Sequence, residues 1–155
     1  MPAVAVQTRS RPRSVITLIA VVLLALAAAG CMPADAKTFL DRTNSLRGSV
    51  GAPALKEHDT LTRKAEAWAQ HMASTGELSH SNLAEGLSSL SWTRLGENVG
   101  YSSRTSDTLL YLHKAFVASP PHRANLVDKR FTHMGVGVAT DKAGTVWVAE
   151  VFARF

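Results

Sequence analysis

The sequence predicts an α+β domain in which helices pack on an antiparallel sheet. Segments with helical apolar spacing occupy the middle of the chain, and an alternating segment over 134–152, with a tight turn at 141–144, predicts a hairpin at the end. Helices followed by a hairpin favour separate α and β layers over a parallel sheet with alternating helices. The segment over 37–155 is long enough for one core but not for two.

The first 36 residues have the composition of a processing segment. Arg9, Arg11 and Arg13 form a positively charged start, and the run over 15–29 is almost entirely apolar. This run is short for a membrane span, so it predicts a signal peptide and export. A retained anchor helix is the alternative.

Two cleavage sites follow the apolar run. Residues 28–31 resemble a bacterial lipobox, in which Cys31 is acylated and becomes the N-terminus. Residues 34–36 form an A-x-A site for ordinary signal peptidase, which would leave Lys37 first. We favour the lipoprotein, with membrane contact only through acylated Cys31; the other product is a secreted domain over 37–155.

Composition excludes two classes of protein. The net charge of +5 comes partly from arginines of the leader, and no basic stripe follows, so nucleic acid is not an expected partner. Cys31 is the single cysteine, so no disulfide can form within the mature domain.

Helix boundaries follow from caps and breakers. Helices are predicted over 37–50, from a cap at Asp59 or Thr60 to Gly76, and from a cap at Thr105 or Ser106 to the proline pair 120–121. One further helical turn is expected after the prolines. The segment over 96–101, with a glycine at 96 and another at 100, predicts a strand or a bend.

Three polar residues could bind a divalent metal. His80 lies in a polar loop, Glu97 lies between a glycine and an asparagine, and His122 follows the prolines. Two imidazoles and a carboxylate suit zinc with an open coordination position. Their spacing matches no compact metal motif, so three hydrogen-bonded loop residues are the competing interpretation.

Ser119 and His122 have the spacing of a nucleophile and a base on one helical face. We expect Pro120 and Pro121 to break that geometry, and the sequence contains no G-x-S-x-G elbow. His113 is expected on a polar surface, as is Glu150, for which a position facing the cleft is the alternative.

Five short segments resemble, in order, the signatures of bacterial CAP-domain proteins, the superfamily of cysteine-rich secretory, antigen 5 and pathogenesis-related proteins. They are 44–47, 78–81, 96–98, 119–125 and 135–138. The resemblance implies an α-β-α sandwich, with a central antiparallel sheet flanked by helices.

The resemblance also implies a cleft with two histidines and two glutamates. His80, Glu97 and His122 match three of these positions, and Ser119 stands where eukaryotic members place the second glutamate. Four further residues are expected to hold the surrounding loops by hydrogen bonds, namely Asn44, Arg47, Asn98 and Asn125.

These observations predict an exported binding domain of the cell envelope rather than an enzyme. Its cleft would take a divalent metal, with zinc the first candidate, and a lipid or other small apolar ligand. One alternative is a metal-dependent hydrolase or peptidase with Glu97 as base and His122 beside it. The other is a structural domain that acts through an envelope protein partner.

Overall fold

Helices and strands alternate irregularly along the computed structural model, which describes residues 33–103 and 106–155. The helices of this part are α1 (Ala34–Ser49), α2 (Asp59–Thr75), α3 (Thr108–Ala118) and α4 (Pro120–Val127). The strands are β1 (Lys56–Glu57), β2 (Arg94–Ser102), β3 (His133–Thr140) and β4 (Val146–Arg154). The lipobox cysteine, Cys31, lies outside the described residues.

The four strands form one sheet in the order β1-β3-β4-β2. Strands β3 and β4 form the hairpin expected from the sequence, and β2 pairs antiparallel with β4 along its whole length. The short β1, which the sequence pattern does not reveal, pairs parallel with β3. The longest strands, β2 and β4, are therefore neighbours, and β2 lies at an edge.

Helices cover both faces of the sheet. Helix α2 packs on one face, where Gly135 and Gly137 allow close approach, since a Cβ at either position would lie 2.1–2.2 Å from the α2 backbone. Helices α1, α3 and α4 pack on the other face, around an apolar cluster that includes Phe39, Phe116 and Phe152. The predicted α-β-α sandwich is confirmed.

The starts or caps of three helices differ from those predicted. Helix α1 begins at Ala34, three residues before the expected position. Helix α2 is capped by His58, whose Nδ1 accepts a hydrogen bond from the Thr60 backbone at 3.3 Å. Helix α3 is capped by Asp107, which accepts from the Leu110 backbone at 2.9 Å. The imidazole cap was missed because histidine is not among the usual N-cap residues.

Pro120 and Pro121 do two things at the α3–α4 corner. They end α3 as predicted, and they form the first turn of α4, where a missing N–H is tolerated. Helix α4 consequently runs for two turns, not one.

Among the helices of residues 33–103 and 106–155, none combines the length and the apolar character that a membrane-spanning segment needs.

Candidate functional site

The candidate site lies at the edge strand β2, between the loop that follows α2 and the start of α4. Two glycines of β2 face the α3–α4 side of the sheet. A Cβ atom at Gly96 would lie 2.8 Å from the ring of Phe131, and one at Gly100 would lie 2.7 Å from the ring of Phe116. Side chains alternate along a strand, so Glu97 points toward the α2 side. The two walls of the cleft therefore come from opposite faces of the sheet.

The Glu97 carboxylate holds the loop that carries His80. Its Oε1 accepts from His80 Nδ1 at 2.8 Å and from the Ser81 backbone at 2.8 Å. Its Oε2 accepts from the Ser81 hydroxyl at 2.6 Å. The Glu97 side chain is 1% exposed, whereas that of His80 is 63% exposed. Both carboxylate oxygens are thus engaged, and His80 keeps Nε2 for a ligand.

His122 is held from the other wall. Its Nδ1 lies 2.8 Å from the Ser119 hydroxyl, and its ring stacks on Phe116 with centroids 4.9 Å apart. The prediction that the prolines would separate Ser119 from His122 is wrong, because those prolines start α4 and keep both residues on its first turn. Burial lowers the pKa of His122, nearby His80 lowers it further, and a hydrogen bond with the Val99 backbone acts in the opposite direction.

A network of amides lies beneath the cleft. Asn98 Nδ2 donates to the His122 carbonyl at 3.2 Å and to Glu150 Oε2 at 2.8 Å. Asn125 Nδ2 donates to the Glu97 carbonyl at 3.1 Å and to Asn98 Oδ1 at 3.0 Å. The network ties α4 to β2 and β4, and it joins both walls of the cleft.

Glu150 is the buried end of this network. The expectation that it faces solvent is wrong, because its exposure is 0% and its strand is covered on both faces. Within the described residues, its Oε1 has no hydrogen-bond partner. Burial raises the pKa of Glu150 to about 8, against the opposing effect of the Asn98 hydrogen bond. The raised pKa therefore favours the protonated, neutral form of the Glu150 carboxyl group near pH 7.

Arg47 and Asn44 position the chain around the far side of α1. Fully buried Arg47 donates to the carbonyls of four residues, at 2.7–3.4 Å, namely Pro53, Leu126, Asp128 and Phe131. Asn44 exchanges two hydrogen bonds with the Leu55 backbone, at 2.8 and 3.0 Å. These contacts fix the connections that lead into β1 and β3 and leave the cleft to other residues.

The sequence did not indicate the roles of two further polar residues. His113, expected on a surface, is 7% exposed and packs edge-on against Phe39 at 5.8 Å. Burial lowers the pKa of His113, as does nearby Arg42. Ser81 was not recognised as the main partner of Glu97, and only its position directly after His80 could have indicated it.

The donor set limits which metal site the cleft can form. Across 33–103 and 106–155, no group of three or more His, Cys, Asp or Glu residues is arranged to hold a metal ion. Glu97 already accepts three hydrogen bonds from the His80 loop, so its role as the third ligand stays a prediction. The two imidazoles fit a metal completed by water or by oxygen atoms of a ligand.

Comparisons with known proteins agree with this architecture. The chain is 26% identical over 125 residues to the Bacillus subtilis protein YkwD, a match that covers 76% of this chain and 47% of that protein. The chain therefore spans about half the length of this relative. An outer surface protein of Borrelia burgdorferi has the same fold, with a TM-score of 0.68, 17% identity, and coverage of 77% and 92% of the two chains.

A third similar structure is that of NaASP2 with Zn²⁺, which has a TM-score of 0.59, 18% identity and coverage of 79% and 83% of the two chains. The sequence profile of the cysteine-rich secretory protein family, abbreviated CAP, matches residues 40–151. That match covers most of the chain and includes His80, Glu97 and His122. The chain belongs to the cysteine-rich secretory protein (CAP) family, as a bacterial CAP-domain protein.

Proposed function

We propose that this protein is an exported binding domain of the cell envelope whose cleft takes a divalent metal, zinc first of all, through His80 and His122. The observation that carries the proposal is the His80–Glu97 pair, in which Nδ1 donates to a buried carboxylate at 2.8 Å. Metal-binding histidines characteristically donate their second ring nitrogen in this way, which fixes the tautomer and leaves Nε2 for the metal.

The second imidazole supports the same interpretation. His122 comes from the opposite wall, lies close enough to His80 for that residue to lower the pKa of His122, and contacts Ser119 through Nδ1. A metal would bind the remaining nitrogen, Nε2. Ser119 would then accept a hydrogen bond from the ring, as Glu97 does from His80.

Two imidazoles define an incomplete site, because zinc prefers four ligands. Water or the oxygen atoms of a bound molecule would complete the coordination, so the site suits capture of an oxygen-bearing ligand. Zinc in the related structure of NaASP2 is in keeping with this proposal. Hydrolysis with Glu97 as base gains no support, since both carboxylate oxygens already accept hydrogen bonds.

Calorimetric titration of zinc into the purified mature protein tests the proposal. We expect saturable binding at one site, lost in both His80→Ala and His122→Ala, and retained in the surface control His71→Ala. Absence of binding, or binding unchanged by either cleft variant, would leave the two histidines as loop residues without a metal.

We further propose that the protein is anchored through acylated Cys31. The first turn of α1 precedes Lys37, with the Lys37 backbone donating to the Pro33 carbonyl at 2.9 Å and Ala36 only 1% exposed. Cleavage after Ala36 would remove this turn and a buried methyl group. Cleavage before Cys31 would leave the helix whole.

A further inference from the structure

The corner between α3 and α4 contains a serine whose hydroxyl is not used for capping. Ser119 is the N-cap of α4, and an N-cap hydroxyl usually accepts from the backbone N–H of the second or third helical residue. The second residue here is Pro121, which has no N–H, and Ser119 makes no side-chain cap hydrogen bond. Its Oγ lies instead 2.8 Å from Nδ1 of His122.

The His122 ring is fixed in the orientation that a general base requires. Phe116 stacks on one of its faces, and Asn98 holds the His122 carbonyl at 3.2 Å. Nδ1 faces the Ser119 hydroxyl at 2.8 Å, and we assign the proton of the neutral ring to Nε2. A neutral ring with its proton on Nε2 has an unprotonated Nδ1, which accepts the Ser119 hydroxyl hydrogen.

We propose that Ser119 is a nucleophile activated by His122, and that the metal-free protein cleaves carboxylic esters. Ser119 Oγ bonds to the ester carbonyl carbon while its proton passes to His122 Nδ1. The carbon–oxygen bond to the alcohol then breaks, and the same proton leaves with the alcohol. Water attacks the acyl-serine, its proton passing through Nδ1 to Oγ, which releases the carboxylic acid and restores Ser119.

The partners of His122 indicate esters rather than amides. In the described part of the chain, the ring nitrogens form no hydrogen bond with a carboxylate, so the imidazolium formed during attack is stabilised less than in a Ser-His-Asp triad. An amine leaving group needs fuller proton donation than an alcohol does, so activated esters are the expected substrates and turnover should be slow.

Metal binding and ester cleavage exclude each other at His122. A metal on Nε2 of a neutral imidazole leaves the ring proton on Nδ1, where it donates to Ser119 and can no longer accept. The metal-free form therefore has the base, and the zinc-loaded form does not. This proposal does not depend on the metal proposal, because its reaction is measured without metal.

A fluorophosphonate probe tests the activated serine directly, because Oγ displaces fluoride at phosphorus and forms a stable adduct. We expect EDTA-treated mature protein to carry the adduct on Ser119, located by peptide mass spectrometry, and to hydrolyse p-nitrophenyl butyrate. Ser119→Ala should lose both, and His122→Gln should slow labelling about 100-fold. The exposed control Ser89→Ala should react like the unmodified protein, with circular dichroism verifying the fold of each variant.

Failure to label Ser119, or labelling whose rate is unchanged in His122→Gln, would overturn the proposal. Zinc provides a second test of the proposal, through its effect on labelling. Protein shown by calorimetry to be zinc-saturated should be protected from the probe, and undiminished labelling of that form would contradict the assigned His122 tautomer. If calorimetry detects no zinc site, labelling of Ser119 still decides the nucleophile in the metal-free protein.

Discussion

At the scale of single residues, Glu97 determines the orientation of His80. Three donors converge on its carboxylate, from His80 Nδ1 and from the backbone and hydroxyl of Ser81. As a carboxylate, Glu97 only accepts, so Nδ1 of His80 is the donor in their hydrogen bond. In the proposed metal site, Glu97 would therefore act through His80 rather than as a ligand.

Replacement of Glu97 by glutamine should weaken zinc binding without abolishing it. The glutamine amide group would place N–H donors against the Ser81 or His80 donors, and the ring would lose its fixed orientation. We expect the dissociation constant for zinc to rise about 10- to 100-fold. Calorimetry measures this change, with Glu85→Gln as a control outside the cleft. Complete loss of binding would instead identify Glu97 as a direct ligand.

Glu150 should make stability depend on pH. Its pKa is about 8 in the fold and 4.5 in its ordinary state. The folded protein thus binds more protons than the unfolded chain between these values, and stability is present in acid and lost as pH rises through about 8. The slope is up to about 1.4 kcal/mol per pH unit.

Urea unfolding at pH 5, 7 and 9 tests this prediction against Glu150→Gln. The free energy of unfolding of the unmodified protein should fall relative to that of the variant as pH rises. Parallel values at the three pH settings would show that the pKa of Glu150 is not raised in the folded protein, and would contradict the prediction.

At the scale of helices and strands, Arg47 joins α1 to the segments that connect other elements. From α1 it reaches the carbonyls of Pro53, before β1, and of Leu126, Asp128 and Phe131, around the end of α4 and the approach to β3. A planar guanidinium serves several acceptors at fixed angles, which a lysine ammonium cannot reproduce.

Arg47→Lys should therefore lower the free energy of unfolding by roughly 2–4 kcal/mol, because buried carbonyls lose their donors. Chemical denaturation measures the loss, and Arg63→Lys, on the exposed face of α2, should change stability by less than about 0.5 kcal/mol. Equal effects of the two substitutions would show that the Arg47 contacts add little to stability.

The same elements show what sequence can predict. Apolar spacing indicated α1, α2 and α3, and alternation indicated the hairpin of β3 and β4. Strand β4 is covered on both faces, so alternation could not reveal that Glu150 is buried. The two-residue β1 is too short to produce a pattern.

Contacts within the cleft were harder to predict than its members. The order of the motifs predicted that His80, Glu97 and His122 share one site. The hydrogen bonds from Ser81 to Glu97 depend on the fold of a loop, which the sequence pattern does not indicate. The Ser119–His122 contact depends on prolines starting a helix, a role that a sequence alone does not distinguish from ending one.

At the scale of the whole molecule, the complete first turn of α1 has a consequence for processing. We expect the exported protein to begin at acylated Cys31, to incorporate a labelled fatty acid and to fractionate with membranes. Cys31→Ser should abolish incorporation. Recovery of a mature protein that begins at Lys37, identified by N-terminal mass spectrometry, would contradict the anchor. Binding of an apolar ligand or of an envelope protein partner stays a prediction.

The two-histidine metal site is tested most directly by X-ray anomalous scattering from zinc-loaded crystals of the mature protein. We expect one anomalous peak in the cleft, about 2.0–2.1 Å from Nε2 of both His80 and His122, with Glu97 still bonded to Nδ1 of His80. A peak bound by Glu97, or zinc located away from both rings, would contradict the account.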